Sequence, residues 1–268
     1  MGRFDLSLEG SMQSRMSGLI GFDAGRWPLD EAKPTLVFIH GAANNRLFWQ
    51  HQVEGLADHA NTIAIDLPGH GKSPGPGCSN IADYTQVVLS FFDQLNIPDS
   101  IPCGLSMGGA ITLQLLMDHG DRFSAGILMN TGARLRVNPL LFNTIENDFE
   151  KFIESIVSMA LSSQSDKDAL GPVIHEIVDC EPKVAYDDFK ACDRFDVMHR
   201  LNTIDTPVLV VTGSDDNLTP AKYGQFMAQE INQAQLVNID AAGHMPPLEK
   251  PAAVNAAIGQ FLNLNFTL

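Results

Sequence analysis

Gly104-Leu105-Ser106-Met107-Gly108-Gly109 is the most informative run in the chain. It has the form G-x-S-x-G. The apolar stretch Ile101-Pro102-Cys103 precedes it, and Gly108 to His119 follows with apolar and polar residues at helical spacing. On a sharp strand-to-helix turn, a serine in this position takes up a strained backbone conformation. Bulky neighbours would clash there, so small residues flank it. The turn lifts the Ser106 hydroxyl above the sheet. It also sets the Met107 N–H at a helix N-terminus, where it can stabilise a developing oxyanion. Pro102 is expected at the start of its strand, because proline cannot donate to the ladder.

Outward from this turn, short apolar runs alternate with helix-length segments. Leu36-Val37-Phe38-Ile39, Thr62-Ile63-Ala64-Ile65, Ala125-Gly126-Ile127-Leu128-Met129 and Val208-Leu209-Val210-Val211 read as strands buried on both faces. Gln235 to Ile239 is a weaker candidate of the same kind. Helices are predicted over Phe48–Leu56, Ile81–Leu95, Gly108–His119, Tyr223–Ile231 and Ala252–Leu262. This alternation predicts an α/β fold with a mostly parallel sheet flanked by helices. Phe4, Leu6 and Leu8 alternate with polar residues and predict an antiparallel edge hairpin near the N-terminus. The rhythm breaks between Arg134 and Asn202. That stretch holds one long amphipathic candidate, Asn138–Leu161, and two shorter ones, Pro172–Cys180 and Val184–Phe195. It predicts a helical cap inserted at 134–202, with 1–133 and 203–268 forming the core.

Composition narrows the function classes. The 268 residues carry 17 lysines and arginines against 32 aspartates and glutamates, a formal net charge of -15. Such a surface repels phosphate backbones and anionic lipids, so neither nucleic acid nor membrane is an expected partner. The charge is spread along the chain, and most carboxylates read as a solvated face. Cys78, Cys103, Cys180 and Cys192 form no metal-ligand spacing, and a reducing compartment is the simpler reading. Residues 1–10 lack the pattern of a signal peptide, and no apolar run is long enough to span a bilayer. A cytoplasmic location is expected.

A serine hydroxyl is a weak nucleophile at neutral pH. It needs a base, and the base needs an orienting acid. Gly213-Ser214-Asp215-Asp216-Asn217-Leu218-Thr219-Pro220 leaves the strand Val208–Val211. Ala241-Ala242-Gly243-His244-Met245-Pro246 leaves the last strand candidate. Both loops are expected at the sheet edge that carries Ser106, where open α/β sheets bind ligands. The order Ser106, Asp216, His244 fits this arrangement, with Asp215 as the alternative acid.

Five motifs in sequence order resemble the α/β-hydrolase superfamily, in its single-cap branch of esterase-like and haloperoxidase-like members. Besides the serine turn, they are His40-Gly41-Ala42, Asp66-Leu67-Pro68-Gly69-His70-Gly71-Lys72-Ser73, Gly213 to Asp216 with Pro220, and Gly243-His244. The resemblance covers the chain from about Thr35 onward except the insertion. It implies Ser106 as nucleophile, His244 as base and Asp216 as orienting acid, since the family spacing from Gly213 favours the second aspartate. It also implies an oxyanion hole built from the N–H groups of Ala42 and Met107. No metal or cofactor is called for. The implied activity is cleavage of a small carboxylic ester through an acyl-enzyme, on a small-molecule substrate with a compact apolar group under the cap.

Rival readings differ at particular residues. Dehalogenases and epoxide hydrolases of the superfamily place aspartate where Ser106 stands. Carbon–carbon hydrolases usually show asparagine where Leu105 stands. Thioesterases, lactonases and cofactor-free perhydrolases share the triad. A ligand-sensing receptor, or a structural protein with a vestigial site, belongs to another class, and the intact triad argues against both. His40 and His70 are expected to bond to backbone within turns. His51, His59, His119, His175 and His199 read as surface or core. Trp49 reads as core, and Arg134 and Arg136 as surface or hinge salt bridges.

Overall fold

The computed structural model describes residues 14–97 and 100–266. Its strands are β1 (Arg15–Ser17), β2 (Ile20–Ala24), β3 (Thr35–Ile39), β4 (Asn61–Ile65), β5 (Ser100–Leu105), β6 (Gly126–Met129), β7 (Val208–Gly213) and β8 (Ala234–Ile239). They form one sheet in the order β1-β2-β4-β3-β5-β6-β7-β8. β1, β2 and β4 pair antiparallel, and the remaining neighbours pair parallel. The antiparallel hairpin at the edge is β1–β2; Phe4, Leu6 and Leu8 lie outside the described residues.

Alternation along each strand divides the core. Leu36 and Phe38 of β3 face one apolar cluster, and Val37 and Ile39 face the other. Helices α1 (Gln50–Gly55) and α10 (Pro251–Asn265) cover the first face. Helices α2 (Ile81–Leu95), α3 (Met107–His119) and α8 (Ala221–Glu230) cover the second. A short helix, α9 (Pro246–Glu249), precedes α10. The chain passes from β3 to β4 on one side, then returns to lay β5 on the other side of β3. The strand order reverses there, and the carboxyl ends of strands at such a reversal are where open α/β sheets bind ligands. The register Ile39↔Gly104 brings the loops after these two strands together.

Between β6 and β7 run α4 (Pro139–Asn147), α5 (Phe149–Ala160), α6 (Lys167–Ile177) and α7 (Pro182–Arg194). The long helix expected over Asn138–Leu161 is in fact two helices. Asp148 leaves the helical region (φ -157°, ψ 78°), and its carboxylate caps α5 by accepting from Lys151 N at 3.1 Å. A capping aspartate inside an amphipathic run is a helix start, and it outweighs the periodicity that continues across it. α6 likewise begins at Lys167 rather than near Pro172, because Asp166 caps it through Ala169 N. Pro172 lies inside that helix. Apolar side chains of these helices join the first core cluster, with Phe152 packed against Phe149 and Phe189 at 5.3 and 5.7 Å between ring centres.

Pro102 sits inside β5, not at its start, opposite Val37 of β3. Ser100 O accepts from Ser124 N, and Ser106 N donates to Met129 O, so Pro102 also points its nitrogen toward β6. The β5–β6 ladder begins only at Cys103↔Ile127, and no strand bond is lost.

The turn after β4 is built around Asp66, which is fully buried. Its carboxylate accepts from Arg46 N, Arg46 Nη1 and Lys72 N at 2.7, 2.7 and 2.8 Å. Gly71 has φ +48°, and a Cβ there would lie 2.5 Å from Asp66 Oδ2. Ser73 Oγ donates to Asp66 O and accepts from Gly21 N, which ties in β2. Arg46 Nε also reaches Asp23 at 2.7 Å, so the guanidinium is paired on two sides in a site closed to water. Among the described residues no helix is long and apolar enough to cross a membrane.

Trp49 is fully buried, stacked on Phe38 at 5.0 Å and edge-on to Phe48 at 5.1 Å. Its Nε1 has no hydrogen-bond partner. Trp49→Ala is expected to lower the unfolding free energy by about 3–5 kcal/mol. Trp49→Phe should cost less than about 2 kcal/mol, because it keeps a ring and removes an unsatisfied donor. Denaturant unfolding of the two variants checks the difference.

Candidate active site

Ser106 caps α3 with φ 54° and ψ -114°, a left-handed conformation costly for any residue with a side chain. The glycines around it permit the turn. A Cβ on Gly104 would lie 2.0 Å from Gly108 O, and one on Gly108 would lie 2.2 Å from Ile39 O. The start of α3 therefore rests directly on the end of β3. Ser106 O accepts from Ala110 N and from Thr131 Oγ1 at 2.7 Å. Ser106 is half-buried, and Met107 N opens the helix behind it.

The loop after β3 is held from behind. His40 is fully buried, accepts from Leu67 N on Nε2 (3.0 Å) and donates from Nδ1 to Gly41 O (2.8 Å). Burial, helped by the nearby charge of His70, lowers its pKa to about 3, so the ring is neutral. Gly41 C=O and Ala42 N–H belong to one trans peptide. Pulling the carbonyl toward His40 turns the Ala42 N–H the opposite way. Gly41 lies close beside Ser106, since a Cβ on it would sit 3.4 Å from Ser106 Cβ.

His244 and Asp216 are in contact. His244 Nδ1 lies 2.9 Å from Asp216 Oδ2 and 3.2 Å from Thr219 Oγ1. The Thr219 hydroxyl donates to Asp216 Oδ2 at 2.7 Å, and Leu218 N and Thr219 N donate to Oδ1. Burial pushes the Asp216 carboxyl up, but the charge and hydrogen bond of His244, with the Thr219 donors, outweigh it. The carboxyl is held below the usual carboxylate range. The tautomer that satisfies this carboxylate carries its proton on Nδ1, and that tautomer offers Nε2 as an acceptor. Asp215 faces elsewhere: its carboxylate accepts from Ser162 Oγ and Ser214 Oγ.

The backbone of the histidine loop is pinned at three successive N–H groups. Gly243 N and Met245 N donate to the two oxygens of Glu249, and His244 N donates to Ala160 O at the end of α5. The same Glu249 accepts from Ser162 N and Ser165 Oγ. Asn130, at the end of β6, joins two loops: its side chain donates to Gly243 O at 2.7 Å and accepts from Gly213 N at 2.8 Å.

His70 is more than a backbone-bonded turn residue. Its Nδ1 donates to Pro68 O, and its Nε2 donates to the fully buried carboxylate of Asp188 on α7 at 2.9 Å. Burial opposes the charged ring, but the Asp188 charge and hydrogen bond prevail, and its pKa lies well above the ordinary histidine value. Asp188 also accepts from Tyr84 OH (2.5 Å) and from Ala43 N (2.8 Å). Arg134 and Arg136 both reach Asp196 at 3.5 Å, and so brace the two ends of the four-helix segment. All four cysteines are free thiols.

Ser106, His244, Asp216, Ala42 and Met107 were all marked by motif. Thr219, Asn130, Glu249 and Asp188 were not. Thr219 carried a usable signal, an Asp-x-x-Thr spacing that caps a turn. Asn130 and Asp188 act on partners 83 or more residues away, and Glu249 joins its near neighbours Gly243 and Met245 to the distant Ser162 and Ser165.

The parallel sheet, the serine elbow and the paired histidine loop define an α/β hydrolase. A family model described as the alpha/beta hydrolase family matches residues 36–257, and the chain belongs to that family. It is similar to the pimeloyl-(acyl-carrier protein) methyl ester esterase of Neisseria meningitidis serogroup B, 28% identical over 251 residues, 88% of this chain and 96% of that protein. It is also similar to 3-oxoadipate enol-lactonase 2 of Acinetobacter baylyi, 27% identical over 234 residues, 84% of this chain and 87% of that protein. Among solved structures, the enol-lactonase from Burkholderia xenovorans superposes with a TM-score of 0.83 at 23% identity, over 94% of this chain and all of that one. A thermophilic esterase superposes with a TM-score of 0.78 at 26% identity, over 95% and 98%.

The raised pKa of His70 sets a pH dependence of stability. Below about pH 6.5 both folded and unfolded chains hold this proton, and the contribution is fully present. As pH rises toward the folded value the unfolded chain releases the proton first, and stability declines by up to about 1.4 kcal/mol per pH unit. Denaturant midpoints between pH 6 and 9 should show this decline, and His70→Gln should flatten it.

Proposed function

We propose that the protein is a serine hydrolase of small, uncharged carboxylic esters. The observation that carries this reading is the contact of His244 Nδ1 with the Asp216 carboxylate, on a loop that Asn130 ties to the strand beside the Ser106 turn. Ser106 Oγ attacks the ester carbonyl while His244 Nε2 takes its proton. The oxyanion that forms is held by the N–H groups of Ala42 and Met107. Collapse of the tetrahedral intermediate expels the alcohol, which takes the proton from His244, and leaves an acyl-enzyme. Water then attacks with His244 again as base, and the acid is released. Asp216 fixes the imidazole tautomer and stabilises the imidazolium. No step in this scheme calls for a metal or cofactor.

Support comes from two further sides. The relatives named above are esterases and enol-lactonases, whose names share the cleavage of an oxygen ester. A lactone is the second substrate class on this reading, since the same attack opens a cyclic ester. Charge disfavours an anionic substrate: residues 134–202 carry thirteen aspartates and glutamates against eight lysines and arginines. Segment 134–202 is proposed as a cap over the site, and its contacts at Ala160, Ser162 and Asp188 fit that role. The free thiols fit a reducing compartment, and the cytoplasm is the proposed location.

Hydrolysis of p-nitrophenyl esters of increasing acyl length tests the proposal. Ser106→Ala and His244→Ala should each lower kcat by at least about 10³-fold, and Asp216→Asn by about 10³–10⁴-fold through loss of the correct tautomer. Rates that are equal in wild type and Ser106→Ala would remove the reading.

A further inference from the structure

The Ala42–Ala43 peptide stands in an unusual position. Ala43 has φ 59°, a left-handed conformation for a residue that is not glycine. Such backbone persists only where its surroundings over-determine it. Its N–H donates to Asp188 Oδ2 at 2.8 Å. Asp188 comes from α7, 145 residues away, and none of its surface reaches water. The carboxylate is itself fixed on both oxygens, by His70 Nε2 at 2.9 Å and Tyr84 OH at 2.5 Å. Both partners belong to the α/β core, one to the turn after β4 and the other to α2. Cys180, on the strap leading into α7, adds a weak contact to Ala43 O at 3.9 Å.

We infer that Asp188 is a positioning residue for the oxyanion hole. The two peptides that flank Ala42 are locked separately. His40 holds the Gly41–Ala42 peptide through the Gly41 carbonyl, and Asp188 holds the Ala42–Ala43 peptide through the Ala43 N–H. With both fixed, the Ala42 N–H has one direction. Without Asp188 the strained Ala43 relaxes, and the peptide carrying the oxyanion donor rotates with it. One of the two groups that fix this backbone thus comes from the helical segment and the other, His40, from the core. This inference rests on the acyl-transfer reading above.

The test is steady-state ester hydrolysis by Asp188→Ala and Asp188→Asn, with inhibition by a boronic acid that forms a tetrahedral adduct on the serine. Loss of an oxyanion donor lowers kcat by about 10²–10³-fold. Asp188→Ala is expected to lower kcat on the order of 10²-fold, with KM changed less than about threefold, and to weaken the boronate by a similar factor. Asp188→Asn is expected to recover at least about tenfold of that loss, because its carboxamide oxygen still accepts from Ala43 N. Should Asp188→Ala not fold, Asp188→Ser replaces it with the same expectation. A folded Ala or Ser variant with kcat within threefold of wild type, or one changed only in KM, overturns the inference. So does an Asn variant as impaired as the truncation. Ser106→Ala separates the two levels: activity that survives it removes the acyl-transfer reading, while activity that needs Ser106 yet ignores Asp188 removes only this inference.

Discussion

The left-handed backbone of Ser106 is the constraint around which the molecule is arranged. It requires glycine at 104 and 108, because any side chain there would collide with backbone. Those glycines let α3 press onto the end of β3, which brings the loop of His40 and Gly41 against the serine. The same turn gives up a carbonyl to Thr131, and the neighbouring Asn130 reaches the loops of Asp216 and His244. A local strain of a few kcal/mol is thus held in place by contacts from strands on either side.

Electrostatics in this protein divides into two kinds. Around Asp216 the carboxylate is paired with a second ionisable side chain: it meets His244 Nδ1 and accepts from Thr219 Oγ1, beside the backbone N–H of Leu218. Around Asp66 and around Asp188 the charge is sealed. There it organises backbone, since Asp66 accepts from Arg46 N and Lys72 N, and Asp188 from Ala43 N. Buried carboxylates that receive backbone N–H groups specify loop shape in places where apolar packing has no directional preference.

Much of this was legible in the chain. The apolar runs located the parallel strands to within a residue or two, because strands covered on both faces lack polar interruptions. Ile81–Leu95 was located to the residue, with Asn80 as its cap and the left-handed Asn96 as its stop. The candidate site residues Ser106, Asp216 and His244 stood in motifs whose local geometry is encoded locally. The reading failed where a polar residue acted against its surroundings. Asp148 broke a helix that periodicity carried through, and Pro102 entered a central strand on the side where no partner waited. Asn130 and Asp188 were invisible because each acts on a loop distant in sequence, and spacing carries no trace of it; Glu249 lies beside the His244 loop, but its other partners, Ser162 and Ser165, are as distant.

Glu249 and Ala160 together occupy all three N–H groups around His244, and Ala160 and Ser162 belong to the same segment as Asp188. That segment is therefore not an interchangeable attachment. A chimera that exchanged it for the corresponding stretch of another hydrolase would, in the same operation, exchange the anchors of the His244 loop and of the Ala43 backbone. Swapping this part is limited to donors that supply a carbonyl and a carboxylate at the same points. Point changes that leave the Ala160 carbonyl and the Asp188 carboxylate in place avoid that limit.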